Sequence, residues 1–456
     1  MAHPSLDRWA REGRDRRRLT PRETSRFMGV RGASALVSIR MRRPARLPFC
    51  VAAASALAAC SGSSGGGGPD VALPYTGTLG EPIVVQDVTD ILIVPVTVNG
   101  VTAAAIVDTG SPIVALDPAS FPHAALPDGS GPVDMLTVGD LHFPGATVIG
   151  ANLITSPDPS IPFGGSLGCA VLCEFEVSLN YRDSRLTLGP GAPPANIETP
   201  GVSVPFVLGG GGIVSLTGVP GQVTFPPSRI MLTATIEGTE YPFIVDTGSS
   251  LMTLRESLFS GLVKDGRAVI SGIDTATVGM QSMSSVARLR SVVIGGALVE
   301  GLVGGDDPNL EQTLDDIAME TGSPVSGLVG GSFLRQFFVV VDYPSAALRL
   351  QRYSKGRPTF DTFDRVAIGV AVADGDSPAT VSGVFAGSAP AKLGVAIGDE
   401  VVAIDGEALG KLGSTAINQL LSGPVGSTKT VTFAMAASAS LAHKTVTIAV
   451  EDILPL

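Results

Sequence analysis

The feature that most restricts what this chain can fold into is a pair of matched segments. Ile106-Val107-Asp108-Thr109-Gly110-Ser111 returns as Ile244-Val245-Asp246-Thr247-Gly248-Ser249, an offset of 138 residues. Each copy follows a Thr-rich apolar stretch with a Gly turn, at residues 94–100 and 231–238, and each runs on to a Leu, at Leu116 and Leu254. A second match has an offset of 162: Leu167-Gly168 and residues 175–181 correspond to Val329-Gly330 and residues 337–343, and Leu186 and Leu188 fall on Leu348 and Leu350. The same order of landmarks in both halves, with 24 more residues in the second (162 minus 138), marks a duplicated lobe. Abundant Gly and Pro, few aromatics and many Val, Ile, Thr and Ser predict short strands joined by tight turns. The expected fold class is mainly β, with two duplicated β-lobes at residues 81–195 and 196–354 followed by a linker and a small α+β domain at 355–456.

The two Asp-Thr-Gly turns have a chemical reading. Hydrolysis without a metal or a strong nucleophile needs a water made nucleophilic and a carbonyl made electrophilic together. Two carboxyl groups held close cannot both ionise, so one stays protonated while the other is charged, and a water between them meets a base and an acid. The pair titrates as a unit, so neither Asp108 nor Asp246 is assigned one role from sequence. Gly110 and Gly248 let the backbone approach a carboxylate where a side chain would intrude. Thr109 and Thr247 are placed to hydrogen-bond across the junction of the lobes. Ser111 and Ser249 are expected to offer hydroxyls to the outer carboxylate oxygens.

From about Ile83 to Arg352 the chain resembles the pepsin-like and retropepsin-like aspartic peptidases, whose two lobes each contribute one such Asp. Gly327-Leu328-Val329-Gly330 with the run to Tyr343 is similar to the family's segment behind the catalytic loop, and the resemblance places Gly168 and Gly330 behind the two Asp turns. It implies an aspartic endopeptidase acting on peptides or proteins, with no cofactor and no metal. The alternative is a peptide-binding protein of the same fold without catalysis. No Tyr stands between Asp108 and Gly168, so the Tyr-bearing flap of pepsins has no counterpart, and a Gly-containing hairpin near residues 133–141 is expected to serve instead. His123, His142 and His443 are isolated, and no phosphate loop or serine nucleophile elbow is present.

After the linker, Ile368-Gly369-Val370, Gly387-Ser388-Ala389-Pro390-Ala391-Lys392-Leu393-Gly394 and Gly398-Asp399-Glu400-Val401-Val402-Ala403-Ile404-Asp405-Gly406 resemble the PDZ domains of bacterial envelope proteases. The resemblance implies a helix at residues 415–421 and closing strands at 429–435 and 444–450. It also implies that backbone amides around Ile368, Gly369 and Val370 receive the C-terminal carboxylate of a peptide that adds a strand to the sheet edge. A structural appendage docked on the second lobe is the alternative.

The N-terminus reads as an export address. From Met41 a basic stretch precedes 13 apolar residues, 47–59, that close on Leu57-Ala58-Ala59-Cys60. This resembles a bacterial lipoprotein signal at residues 41–59, with Cys60 lipidated, a Gly/Ser-rich tether at 60–80, and residues 1–40 read from a mis-assigned start upstream of the natural one at Met41; a plain secretory signal with an incidental Cys is the alternative. The expected location is the cell envelope, anchored to a membrane by lipid and facing the periplasm. Residues 60–456 carry 18 Lys and Arg against 38 Asp and Glu, which argues against nucleic acid as a partner. Cys169 and Cys173, the two remaining cysteines, either form a local disulfide or stay as buried thiols.

Overall fold

The computed structural model describes residues 73–150, 163–214, 222–277, 280–354, 363–372, 377–385, 388–410, 412–435 and 443–455. The expected start, signal, Cys60 and most of the tether lie outside the described residues, as does most of the linker. The fold is mainly β, as expected.

Each lobe is one twisted sheet built around a hairpin. In the first lobe Ile91–Val98 pairs antiparallel with Val101–Val107, and in the second Arg229–Ile236 pairs with Thr239–Val245. The turns are Asn99-Gly100 and Glu237-Gly238, with all four residues at positive φ (48°, 86°, 49° and 89°). This is the backbone of a two-residue hairpin that keeps the right-handed twist of its strands, and it explains the Gly at both second positions. Apolar residues fill both hairpins. Leu92, Val94, Val96 and Val98 are fully buried, as are Ile230, Ala234 and Val245, and each fully buried Val or Leu contributes about 1.5–3 kcal/mol.

A short strand then divides each Asp turn from behind. Phe163–Leu167 lies between Val101–Val107 and Val114–Leu116, parallel to the first and antiparallel to the second. Gly327–Val329 does the same between Thr239–Val245 and Met252–Leu254. The Asp turn is therefore a loop whose two ends are held apart by a third strand and cannot relax into an ordinary hairpin.

The lobes share a six-stranded sheet at their base. Glu176–Asn180 pairs antiparallel with Phe337–Asp342, and the central pair is Ser178 with Val340. Residue 340 is 178 plus the 162-residue offset, so this strand pairs with its own duplicate and the local two-fold axis passes between them. Tyr181 and Tyr343, related by the same offset, are buried in the same core.

Register also shows where the longer second half spends its extra residues. Thr97 faces Thr137 in the first lobe, and Thr235 faces Val293 in the second, so the offset has grown from 138 to 156 between these strands. The insertion is the helix Glu256–Leu262 and the ribbon of Ile270–Thr277 with the start of Met280–Ile294. By the same equivalence, the hairpin at residues 133–141 is not a lid. Val133, Leu136, Val138 and Leu141 are buried in the first lobe's core, and the tip glycine Gly139 is so close to Ile83 that a Cβ there would fall 2.7 Å from its side chain. The Gly turn that suggested a free hairpin joins two core strands.

The C-terminal module forms its own sheet, from Ile368–Ala371 to His443–Ala449, with helices Ala389–Lys392 and Ser414–Leu420. It is docked rather than tethered. Asp364–Arg365 pairs with Glu451–Asp452, and Phe363 and Leu454 join Val286 and Val303 of the second lobe in one buried cluster, with Leu251 of the Asp246 loop packed on it. Arg288, itself buried, bonds Asp364 at 2.9 Å and Asp452 at 3.0 Å.

Candidate active site

The two Asp turns meet at the junction of the lobes, and the Thr residues explain why. Thr109 N donates to Thr247 Oγ1 (3.0 Å) while Thr247 N donates to Thr109 Oγ1 (3.1 Å). Each hydroxyl then donates onward to the opposite lobe, Thr109 to Val245 O (2.9 Å) and Thr247 to Val107 O (2.6 Å). Both side chains are fully buried, so losing either one strands an amide and a carbonyl away from water. Four reciprocal bonds thus fix the two turns to each other.

Behind each turn the support is also duplicated. Asp108 N donates to Leu167 O and Asp246 N to Val329 O, both at 3.0 Å. Cys169 N donates to Ser111 O (2.8 Å) and Gly331 N to Ser249 O (2.7 Å). Gly168 and Gly330 sit where a Cβ would fall 2.0 Å from Ile113 O and Leu251 O respectively, so no other residue allows this approach. The short helix that follows Gly168 is closed by a disulfide between Cys169 and Cys173. At the corresponding place in the second lobe, Arg335 instead reaches across to Asp90 of the first lobe (2.8 Å).

In front, Asp108 and Asp246 are both buried. Gly110 N donates to Asp108 Oδ1 (3.0 Å) and Gly248 N to Asp246 Oδ1 (2.9 Å). Asp108 Oδ2 is buried with no hydrogen-bond partner among the described residues. Burial, and then the neighbouring Asp246 carboxylate, pushes the Asp108 carboxyl well above the usual carboxylate range. Burial also raises Asp246, against the pull of the Gly248 N–H and of the Arg229 guanidinium. The pair therefore holds one proton to a higher pH than either group would alone, the state in which an acid and a base coexist.

Two expectations are corrected here. The hydroxyls of Ser111 and Ser249 do not reach the carboxylates; they turn back to Ile113 O (3.2 Å) and Leu251 O (3.0 Å), because a Ser at this place satisfies the loop's own carbonyl first. It is the backbone N–H of Ser249 that favours the ionised Asp246. The amides at Ile368, Gly369 and Val370 do not form an open carboxylate cradle either. Ile368 N donates to Val366 O (2.7 Å), and the side-chain amide of Asn418, on Ser414–Leu420, accepts from Val370 N (3.4 Å) and donates to Val370 O (3.1 Å). A side chain that mimics a peptide unit occupies this edge, while Gly369 packs toward Ser382.

Arg229, passed over in the sequence, reaches the turn of the opposite lobe. The signal was present: subtracting the 138-residue offset gives Ile91, so one charged residue stands where its duplicate is apolar.

Among solved structures, the chain is similar to that of an aspartic proteinase from Irpex lacteus, at 16% identity over 60% of this chain and 97% of that chain, with a TM-score of 0.39. No curated protein gives a significant match. The family model described as aspartyl protease matches residues 232–333, which span the strand into Asp246, the turn itself and the Gly330 support. That match covers the part of the second lobe of this mainly β chain that holds the Asp246 turn.

Proposed function

We propose that the chain is an aspartic endopeptidase in which Asp108 and Asp246, sharing one proton, activate a water for attack on a peptide carbonyl. The carrying observation is the reciprocal Thr109–Thr247 bonding, which sets one Asp from each lobe at a single buried junction. The ionised member takes a proton from the water as its oxygen attacks; the protonated member donates to the carbonyl oxygen, giving a neutral gem-diol. Proton return to the departing amine then breaks the C–N bond. Gly110 and Gly248 amides stabilise the charged form through each half of this exchange.

The C-terminal module is read as PDZ-like in sequence, and its engaged edge at Val370 favours a structural role against the second lobe over an open peptide groove. Export and attachment through Cys60 remain part of the proposal on the sequence pattern alone. The test is to incubate the purified protein with a diverse peptide library across pH, beside Asp108→Asn and Asp246→Asn. Cleavage that disappears in both variants is the expected result; cleavage that persists in either, or none by the unmodified protein, removes the catalytic reading.

A further inference from the structure

Arg229 opens the strand Arg229–Ile236, one residue before the Ile230–Val245 pair, and so stands level with Asp246. Its Nη1 donates to Gly110 O at 2.5 Å, across the lobe junction. Its Nε lies 3.4 Å from Glu320 Oε2, and the other oxygen of Glu320 accepts from Gly211 N at 3.0 Å. The two side chains are only 17% and 13% exposed, so the guanidinium is held by a buttressed carboxylate on Leu310–Thr321 and aimed at a carbonyl of the other lobe.

That carbonyl belongs to a residue in contact with both halves of the site. Gly110 N already donates to Asp108, and a Cβ on Gly110 would fall 2.6 Å from Asp246 Cγ. Gly110 thus lies against both carboxyl groups, and holding its carbonyl fixes the plane of the Gly110–Ser111 peptide, whose Ser111 N–H donates to Asp108 O (3.4 Å), so the turn that carries Asp108 is pinned from the other lobe. The first lobe has no matching group, since the equivalent residue is the fully buried Ile91.

We propose that Arg229 is a positioning residue of the Asp108–Asp246 pair: from the second lobe it clamps the Gly110 peptide of the first and keeps a positive charge on one side of the pair. This rests on reading the two Asp residues as a working pair. The guanidinium favours the ionised form of both carboxyls. The other charged and titratable groups facing the pair are Glu320, which partly neutralises Arg229, and the buried hydroxyls of Tyr343 and Tyr181, which sense Asp108 and Asp246.

The test follows the two carboxyl carbons by 13C NMR titration of the full chain, with Asp108→Asn and Asp246→Asn to assign them. Arg229→Gln is expected to raise both apparent pKa values of the pair by about half to one unit, Arg229→Lys to stay nearer the unmodified protein, and Glu320→Gln to shift them in the opposite direction. In kcat/KM against pH, the Gln variant should displace both limbs to higher pH, whereas a merely structural role would lower stability and rate without moving them. Unchanged titration in Arg229→Gln overturns the proposal; if that variant does not fold, Glu320→Gln decides, since it must move the pair down and an unchanged titration there overturns the proposal. Because the titration needs no turnover, an inactive protein whose carboxyls shift as stated would sink the catalytic reading and leave the role of Arg229 standing.

Discussion

The two lobes carry the same turn on different scaffolding. In front they are copies: the same Thr bonds, the same Gly amide on each carboxylate, the same forbidden Cβ at Gly168 and Gly330. Behind they diverge. The first lobe closes its supporting helix with a disulfide, while the second uses Arg335 to Asp90, an added helix and ribbon, and the docked C-terminal module at Leu251. Duplication keeps what the chemistry requires twice and leaves each half free to stabilise it differently.

The sharpest way to break this equivalence is through the carboxyls. Asp108→Asn and Asp246→Asn should each lower kcat by roughly a thousandfold or more, since each removes one member of a shared acid and base. Each should also raise the melting temperature at neutral pH by removing a buried ionisable group. A large inequality in activity between the two variants would show that the lobes are not chemically matched.

Next in size, Thr109→Val and Thr247→Val should each destabilise by about 2–4 kcal/mol in denaturant titration, because each strands a buried amide and carbonyl. Equal losses are the expected outcome.

The pH dependence should differ between the halves. Burial, with the Asp90 charge, pushes the first lobe's Asp87 up to about 7. A carboxyl with a raised folded pKa favours the folded state when protonated, so this contribution is lost as pH climbs from about 4 toward 7, of order 1–3 kcal/mol. In the second lobe the Arg267 guanidinium lowers Glu237, whose contribution is present above its unfolded pKa and fades in acid. Melting curves at pH 5 and 8 should therefore favour pH 5 less in Asp87→Asn, whereas Glu237→Gln should leave that difference nearly unchanged and instead lessen the fall in stability below about pH 4.5.

Smaller still, Cys169→Ser with Cys173→Ser should cost at most about 2 kcal/mol, since the bridge closes a very short loop. Tyr181→Phe and Tyr343→Phe should be the mildest changes, within about 1 kcal/mol and in the stabilising direction, because both hydroxyls are buried with no hydrogen-bond partner among the described residues. A marked loss in either would reveal a function for that hydroxyl.

Much of this was legible because duplication prints itself twice. The Asp turns, the Gly residues behind them and the strand that pairs with its copy all recur at fixed offsets. What escaped depends on one residue seen once. Arg229 has no duplicate to flag it, and Arg288 binds a module more than 70 residues away, to Asp364 at one end and Asp452 at the other. The seryl hydroxyls were misdirected for a different reason: a Ser two residues from a free carbonyl and near a carboxylate has both as acceptors, and only the loop's dihedral angles decide. The hairpin at residues 133–141 failed because a Gly turn marks where a chain reverses, not what lies on either side.

The antiparallel pairing of Ser178 with Val340 has one more consequence. A strand bonded to its own duplicate, together with Thr bonds that run equally both ways, means the halves recognise each other through self-complementary surfaces. The chain between them, including Gly191 and Ala192, contributes neither contact. Two polypeptides divided in that segment and expressed separately therefore hold all the information needed to find each other, which makes the molecule a natural candidate for fragment complementation, with recovered cleavage as the signal of reassembly.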